Sequence, residues 1–418
     1  METTPKKGIS TLAKVVIAAV FVLAAVLVQI FFVSGMGQRY MYMENTGHSV
    51  TYSFDASAMF HSNDSRFFYF ATRNGIRMYP SNGNPPSWTH TFNFTRPMMT
   101  SAGDIVAMAD YRGRRVYVFN ASGHLFTADV GYPVLNFSVT DTGILTTIVS
   151  YDTGFGVHVY NQHRTSHPPL FYWSVHEYDG MYIPTMAEVS CDGRYIAVAM
   201  LDVNVMLNSY VLFSYVNQRD APGTDNGLFG TERFTGQLIT AMRFMDNNRL
   251  IVAATDEIRC FQVGPGRAFV REVWPMELSN RLSHIEFYGG SHFAFVTGEA
   301  IVGVEDPDPI GTVRIFSING IESGVFHMGR RVTHFRMGQG SIIVGADRNF
   351  HAVDLRGSPL WEHTTLHDVH DFMFLDDTNT VLIARSNVAY VYRRRRIRDN
   401  GNDNDLQPIE QSEMTATQ

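Results

Sequence analysis

A hairpin of two short apolar strands joined by a polar turn recurs along the chain, and this repeat limits the possible folds more than any other feature. Its clearest copy is AEVSCDGRYIAVAM, residues 187–200, with the turn at Asp192-Gly193. An Asp-Gly pair between two apolar runs is typical of a tight β-hairpin. Seven further segments have the same order of strand, turn and strand: residues 59–72, 99–110, 136–150, 242–255, 285–298, 334–347 and 373–386.

Each hairpin is followed by a third alternating strand and then by an outer strand. The repeats occupy residues 48–393, roughly 43 residues per unit, which is the spacing of a four-stranded propeller blade. Sandwiches and barrels also contain many short strands, but neither repeats this fixed order. The sequence predicts an all-β fold, an eight-bladed β-propeller of four-stranded antiparallel blades, with seven blades as the alternative. Residues 48–54 are expected to close the ring as the outer strand of the last blade.

The four tryptophans fall in predicted outer strands, separated by 85, 101 and 87 residues, about two blades each time. They are Trp88, Trp173, Trp274 and Trp361. The blades between them have phenylalanine at the matching place: Phe126, then Phe229 or Phe234, and Phe326. A large flat side chain on an outer strand can pack against the neighbouring blade. The tryptophans are therefore predicted to be structural wedges, not cofactor ligands.

One segment, AVDLRGSPLW, carries a family resemblance in Ala352, Asp354, Gly357 and Trp361. It resembles the tryptophan-docking repeat of quinoprotein-type β-propellers, with one residue fewer between Asp and Gly. The cofactor-using members of that family have adjacent cysteines and an acidic calcium site, and this sequence has neither. The resemblance implies a non-catalytic scaffold without a cofactor. The chain is also similar to membrane-anchored propellers of unknown function in Gram-positive bacteria.

The N-terminal segment predicts the compartment. Residues 15–33 are apolar except for Gln29, and a helix of that length spans roughly 28 Å, about the thickness of the bilayer core. A cleaved signal peptide and a buried helix are the alternatives. All three lysines precede the span, which predicts a cytoplasmic N-terminus and an extracytoplasmic propeller. The predicted organisation is therefore residues 1–14 cytoplasmic, 15–33 anchor, 34–47 linker, 48–393 propeller and 394–418 disordered polar tail.

Three groups of side chains have residue types that can bind a metal ion, and none is predicted to be a metal site. Alternation along a strand separates the acidic and imidazole groups of the first, and the second is an exposed acidic loop. They are Glu362, His363, His367, His370 and neighbouring Asp368 and Asp371; Glu305, Asp306 and Asp308; and His163 with His167. The loops at residues 217–234 and 297–316 are longer than the other connections, and long loops are candidate recognition segments.

The remaining features restrict the function without identifying a partner. The net charge of −7 argues against nucleic-acid binding. Cys191 and Cys260 are predicted to be buried thiols, with a disulfide as the alternative. Arg393–Arg396 and Arg398 form a basic run that is either a solvated strand end or a contact for anionic lipid or wall polymer. No catalytic motif is present. The predicted function is a protein-binding scaffold of the cell envelope. A wall-polymer or glycan binder and a propeller enzyme, either a quinoprotein or a glycosidase, are the alternatives.

Overall fold

The structure is a computed structural model. It describes residues 41–52, 59–62, 67–82, 85–176, 182–203, 208–217, 227–264, 269–301, 303, 307–375 and 377–396. Among them no helix has the length and apolar character needed to cross a bilayer. The predicted span at residues 15–33 and the tail beyond residue 396 lie outside this described part.

Thirty-two strands form eight four-stranded antiparallel sheets, which are the blades of a propeller. The first strand is β1 (Met41–Thr51), and it belongs to blade 8. From the innermost strand outwards, blade 1 contains β2 (Met59–Ser62), β3 (Phe67–Thr72), β4 (Gly75–Pro80) and β5 (Trp88–Thr91). Blade 2 contains β6 (Pro97–Ala102), β7 (Ile105–Asp110), β8 (Arg115–Asn120) and β9 (Gly123–Asp129). Blade 3 contains β10 (Val134–Val139), β11 (Leu145–Tyr151), β12 (Gly154–Tyr160) and β13 (Phe171–His176). Blade 4 contains β14 (Tyr182–Val189), β15 (Tyr195–Asp202), β16 (Asn208–Tyr215) and β17 (Leu228–Thr235).

The second half of the chain repeats the arrangement. Blade 5 contains β18 (Ile239–Phe244), β19 (Arg249–Ala254), β20 (Glu257–Val263) and β21 (Val270–Glu277). Blade 6 contains β22 (Asn280–Tyr288), β23 (His292–Ala300), β24 (Thr312–Ser317) and β25 (Glu322–His327). Blade 7 contains β26 (His334–Gly338), β27 (Ser341–Ala346), β28 (Asn349–Asp354) and β29 (Pro359–Thr364). Blade 8 contains β30 (Asp371–Phe374), β31 (Thr380–Ala384), β32 (Val388–Arg396) and, outermost, β1. The predicted eight-bladed fold is confirmed.

Burial follows the position of a strand in its blade. The second strands have both faces covered by neighbouring blades, so β27, with the sequence SIIVGA, is buried at every residue. An apolar run without alternation is the expected pattern for such a strand. Outer strands have one open edge and expose alternate residues, as β5 does. The hydrophobic core therefore lies between the blades and joins each to the next.

The ring is closed by the N-terminal strand, as predicted, but the strand has different bounds. It was expected at residues 48–54 and lies at Met41–Thr51, so part of the expected linker 34–47 is strand. The backbone N–H of Tyr52 donates to the carbonyl oxygen of Asn387 (2.9 Å), and Thr46 Oγ1 donates to that of Val391 (2.8 Å). An outer strand needs little burial, so residues 41–47 form one without the apolar alternation that identifies inner strands.

The C-terminal boundary also differs from the prediction. β32 continues to Arg396, so the first residues of the expected tail 394–418 are part of a strand. Arg395 Nε lies 2.8 Å from the Glu44 carboxylate. The described arginines of the run, Arg393–Arg396, therefore lie at the end of a strand, and Arg398 lies outside the described residues. Asn45–Arg393 form one compact unit, while Met1–Glu44 and Arg394–Gln418 belong to a second.

All four tryptophans lie on outer strands, which confirms their predicted position. Trp88 stacks on Phe119 of the next blade (centroids 5.5 Å apart), and Trp274 stacks on Phe293 of the next blade (5.9 Å). Trp361 contacts Phe372 of blade 8 (5.9 Å). These contacts are the interblade wedges that the spacing predicted.

Candidate functional site

One position on each innermost strand faces the centre of the propeller. The segments around it have the same form in most blades: an apolar residue, the central residue and a second apolar residue, as in Ile285-Glu286-Phe287. Successive side chains of a strand point to opposite faces, so the central residue is directed away from the interblade core. We call these eight residues the axial ring. They are His61, Ser101, Ser138, Glu188, Arg243, Glu286, Arg336 and Met373.

The axial ring surrounds a central cavity of about 450 Å³ that is lined by residues of all eight blades. Seven ring members line it, and the eighth, Ser138, instead donates Oγ–H to the carbonyl oxygen of Ala187 (2.6 Å). Gly103, Asp141 and Gly289, which belong to turns between first and second strands, also line the cavity. We call the end of the propeller with these turns the cavity end. Because the strands are antiparallel, the connections between third and fourth strands lie at the same end.

Charge is distributed unevenly around the axial ring. Blades 4 to 7 contribute Glu188, Arg243, Glu286 and Arg336, so carboxylates and guanidinium groups alternate over half of the ring. In blade 8, Asp371 precedes the ring position, and its carboxylate lies 3.2 Å from Nη2 of Arg336. The other half of the ring consists of a methionine, a histidine and two serines. A bound molecule would therefore meet a charged half and a neutral half.

His61 belongs to the neutral half. Its Nε2 lies 3.4 Å from the carbonyl oxygen of Gly103, and its Nδ1 lies 2.9 Å from Ser101 Oγ. A carbonyl oxygen only accepts, so Nε2 carries the proton and Nδ1 accepts the serine hydroxyl proton. Burial lowers the pKa of His61 to about 4, and the nearby Arg336 guanidinium acts in the same direction. The imidazole of His61 is therefore uncharged at neutral pH.

The two glutamates of the ring are ionised less readily than ordinary carboxyl groups. Burial raises the pKa of Glu188 to about 7, although the Arg243 guanidinium opposes the shift. Burial also raises the pKa of Glu286, against the opposing effects of Arg336 and Arg243. Within the described part of the chain, none of Glu188, Glu286 and Arg243 has a direct hydrogen bond or ion pair. These three side chains therefore face the cavity without a direct contact to any described side chain, and each could bind a charged group of a ligand.

The structure separates the members of the first group of histidine and acidic residues. Glu362 and His363 lie on the outer strand β29, whereas Asp371 lies on the innermost strand β30 and pairs with Arg336. Asp368 pairs with Arg348 (2.9 Å). Across the residues that the structure describes, no three His, Cys, Asp or Glu side chains are grouped closely enough to hold a metal ion.

The acidic loop and the long insertion have other roles. The Asp308 carboxylate accepts two hydrogen bonds from Arg314, at 2.7 and 2.8 Å. Glu305 and Asp306 lie outside the described residues. This loop joins second and third strands of blade 6, so it lies at the end opposite the cavity. In the other insertion, residues 228–234 belong to β17, and Phe234 on that strand is fully buried.

The two cysteines are free thiols. Cys260 is buried in β20, and burial raises its pKa to about 12. Cys191 is half-buried and lines the central cavity, and burial raises its pKa as well. The disulfide alternative is wrong for this structure. A thiol with a raised pKa is a weak nucleophile at neutral pH, so neither cysteine has the environment of a reactive one.

Exposed aromatic side chains are also found at blade 3. Tyr172 is 60% exposed and Tyr132 is 40% exposed. Tyr132 contacts Tyr151 edge to face, with an interplanar angle of 80°. Sugar rings bind best on flat, accessible aromatic faces. An edge-to-face pair is not such a surface, so this group gives no support to the glycan alternative.

The axial ring was not identified from the sequence, although a signal for it exists. Aligning the eight hairpins on the inner-strand residue between two apolar neighbours gives the order His, Ser, Ser, Glu, Arg, Glu, Arg, Met. Charged residues at one aligned position of otherwise apolar strands are unusual, because charges are seldom placed on buried strands without a partner. Comparison of this position among the eight repeats would have indicated the site.

Comparison with solved structures supports the fold alone. The chain is similar to the Dos1 propeller, with 7% identity and a TM-score of 0.53 over 84% of this chain and 95% of that chain. It is similar to the C-terminal WD40 domain of Sif2, with 12% identity and a TM-score of 0.52 over 84% and 96%. BamB from Moraxella catarrhalis aligns at 12% identity over 84% of this chain and 100% of that chain, with a TM-score of 0.47.

Comparison with sequences gives one family. The matching model is described as a family of unknown function, DUF5711, and it matches residues 51–392. This range extends from the last residue of β1 almost to the end of β32. No curated protein matches the chain.

Proposed function

This chain belongs to the DUF5711 family, and we propose that it is a non-catalytic scaffold that binds a partner protein at the cavity end of its propeller. The observation that carries the proposal is the charged half of the axial ring. There, Glu188, Arg243 and Glu286 face a cavity without direct partners in the described part of the chain. Polar groups that lack partners in a concave site are groups that a ligand can satisfy.

The connections at the cavity end also favour this surface for recognition. Third and fourth strands are joined there by residues 161–170 in blade 3, compared with two residues in blade 2. Ile321, at the same end of blade 6, is 66% exposed. Binding residues are frequently found on loops that a rigid scaffold positions.

The order of charges in the axial ring agrees better with a binding role than with catalysis. Propeller glycosidases would need two carboxyl groups to act on one glycosidic bond. Here Arg243 lies between Glu188 and Glu286 in the order of the axial ring and compensates part of their charge. The quinoprotein alternative has a direct assay: added quinone and calcium should leave the melting temperature unchanged, whereas a bound cofactor would raise it.

We place this scaffold on the extracytoplasmic side of a membrane, anchored by residues 15–33. The apolar span and the lysines that precede it support this placement. Protease added to intact protoplasts should digest the propeller. Protection of residues 41–396 in intact protoplasts, with digestion only after lysis, would show that the topology is wrong.

Site-specific photo-crosslinking in cells tests the binding function. A photoreactive amino acid at Ile321 reports on the cavity end, and the same residue at Ile310, 58% exposed, reports on the opposite end of blade 6. We expect a discrete crosslinked partner, identified by mass spectrometry, from Ile321 and not from Ile310. Equal crosslinking from both positions, or none from Ile321 in cells grown under several conditions, would contradict the proposal.

A further inference from the structure

The charges around the cavity do not balance. On the innermost strands, three carboxylates, Glu188, Glu286 and Asp371, stand against two guanidinium groups, Arg243 and Arg336. The direct pair between Asp371 and Arg336 removes one of each. Arg243 is left to compensate two glutamates, and His61 is neutral because burial lowers its pKa to about 4. With the glutamates ionised, the innermost strands therefore present one negative charge too many to the cavity, and the exposed Asp141 on its lining adds to this excess.

The lining of the cavity also includes apolar surface. In the neutral half its lining residues include Phe60, Ala102, Val139, Met373 and Phe374. A charged ligand without an apolar part would leave this surface in contact with water, whereas an alkyl chain would cover it. Lysine and arginine side chains combine a hydrophobic stem with a terminal positive charge. The lining therefore matches a stem at the neutral half and a cation at the charged half.

We propose that the central cavity binds one organic cation with an apolar stem, the ammonium or guanidinium group of a basic side chain that the partner protein presents. Its positive charge would lie between Glu188 and Glu286, opposite the neutral half of the axial ring. The identification of the donor as a partner protein rests on the proposed function. The preference for a cation rests on the charge count and the lining alone.

The raised pKa of both glutamates agrees with this assignment. Burial removes water from a carboxylate and disfavours its charged form unless a cation replaces that water. Arg243 supplies part of this compensation at Glu188 and Glu286 but makes a direct ion pair with neither within the described chain. A ligand cation would complete it.

The test measures binding of small probes to the purified full-length chain in detergent by isothermal titration. The probes are Nα-acetyl-lysinamide and Nα-acetyl-argininamide, and the uncharged controls are Nα-acetyl-norleucinamide and Nα-acetyl-citrullinamide. We expect saturable binding of at least one basic probe and about tenfold weaker binding of its uncharged control, because buried ionic contacts contribute 1.4 kcal/mol or more. Equal affinity for charged and uncharged probes, or no binding of either basic probe, would overturn the proposal.

Substitutions in the axial ring should change the affinity for the basic probe in opposite directions. Glu188→Gln with Glu286→Gln should weaken binding of the basic probe about tenfold, and Arg243→Gln should strengthen it about threefold or more, because it removes a repelling charge. A misfolded variant cannot bind more tightly, so the second result does not depend on the folding of the first. Glu362→Gln, on the outer strand β29, is the matched control and should change nothing. Arg243→Gln binding more weakly would contradict a cation site.

The cellular experiment separates this proposal from the proposed function. If crosslinking from Ile321 captures a partner and the Glu188→Gln and Glu286→Gln changes abolish the capture, both proposals are supported. A partner captured equally by the double variant leaves the scaffold function and overturns the cation site. Binding of basic probes in vitro without any cellular partner supports the cation chemistry and overturns the assignment to a partner protein.

Discussion

Trp361 on the outer strand of blade 7 donates its indole N–H to the backbone carbonyl oxygen of Thr378 in blade 8, at 2.9 Å. Trp88 and Trp274 bond in the same way to Ala121 and Ile318 of their next blades, at 3.2 and 3.1 Å. Those two acceptors lie in turns between third and fourth strands. Blade 8 has no such turn, since its fourth strand is the N-terminal β1, and Trp361 reaches the turn between β30 and β31 instead. These three tryptophans therefore join neighbouring blades by a hydrogen bond as well as by packing of the indole ring.

Replacing Trp361 with alanine should lower the free energy of unfolding by about 3–5 kcal/mol, as truncation of buried aromatic side chains does. Trp361 is 4% exposed, whereas Trp88 and Trp274 are only half-buried, so their alanine variants should lose less. Trp361→Phe should cost about 1–2 kcal/mol, because packing is largely retained and mainly the hydrogen bond is lost. Urea unfolding of the four variants measures this order. A tolerant Trp361 beside a sensitive Trp88 would show that the interblade wedge is not what stabilises blade 7.

Gly320 is the turn residue of blade 6 against which Trp274 packs. Its φ is +75°, and a Cβ at this position would lie 2.9 Å from Cδ2 of the Trp274 ring. Gly320→Ala should therefore cost about 2–4 kcal/mol, combining left-handed backbone strain with displacement of the indole. Gly329, with φ +67° and no atom within 4 Å of a Cβ, is the matched control for strain alone. Thermal unfolding of both alanine variants separates the two costs. Equal destabilisation would mean that the contact with Trp274 contributes nothing.

The architecture was predictable because each blade repeats a local signal. Apolar runs around a polar turn mark first and second strands wherever they occur, and the tryptophan spacing marks the outer strands. Both signals can be found within one repeat of the sequence. The second strands are covered on both faces, and β27 is buried at every residue, so their continuous apolar sequence is easy to recognise.

The axial ring depends on contacts that no single repeat contains. His61 and Arg243 influence each other electrostatically although 182 residues separate them, and only closure of the ring brings them to one cavity. Each of these residues, taken alone, is an ordinary polar residue near a turn. The bounds of β1 were missed for a related reason. An outer strand pairs through its backbone, and residues 41–47 need no apolar alternation to do so.

Stability should decrease as the pH falls from about 6.5 to about 4. Burial lowers the pKa of His61, His158 and His363 to about 4 each. Below pH 6.5 these histidines are protonated in the unfolded chain and not in the folded one, so the free energy of unfolding falls with pH. Glu188 acts in the opposite direction: its pKa is about 7 when folded, so protonation stabilises the fold as the pH falls from 7 towards 4.5. The histidines with a lowered pKa outnumber the glutamates with a raised one, so the net effect should be a loss of stability.

Urea midpoints measured between pH 4 and pH 8 check this prediction. In Glu188→Gln the opposing contribution is absent, so the loss of stability on acidification should be steeper than in the unmodified chain. Glu362→Gln, on an outer strand, should leave the profile unchanged. A Glu188→Gln profile that is shallower than that of the unmodified chain would show that this carboxyl group is not protonated near neutral pH in the folded state.

Tyr52 is the residue at which closure of the ring is most easily tested. Its backbone N–H bonds to Asn387 of blade 8 (2.9 Å), and its hydroxyl donates to the carbonyl oxygen of Arg385 in the same blade. Its ring contacts Phe60 and Phe70 of blade 1, with centroids 5.9 and 4.8 Å away. Tyr52 therefore joins the first and last blades. Tyr52→Ala should cost about 3–5 kcal/mol and broaden the urea transition, since blades 1 and 8 would separate before the rest unfolds.

Two further variants distinguish closure from general loss of aromatic surface. Tyr52→Phe keeps the contacts with blade 1 and loses only the hydroxyl bond, so it should cost about 1–2 kcal/mol with an unchanged slope. Tyr172→Ala removes a tyrosine that is 60% exposed and should change stability by no more than about 0.5 kcal/mol. Limited proteolysis should cut the Tyr52→Ala variant first in blades 1 and 8, near the N-terminal and C-terminal limits of the propeller. If its transition stays as sharp as that of the unmodified chain and cleavage begins elsewhere, the junction of blades 1 and 8 is not where the ring opens.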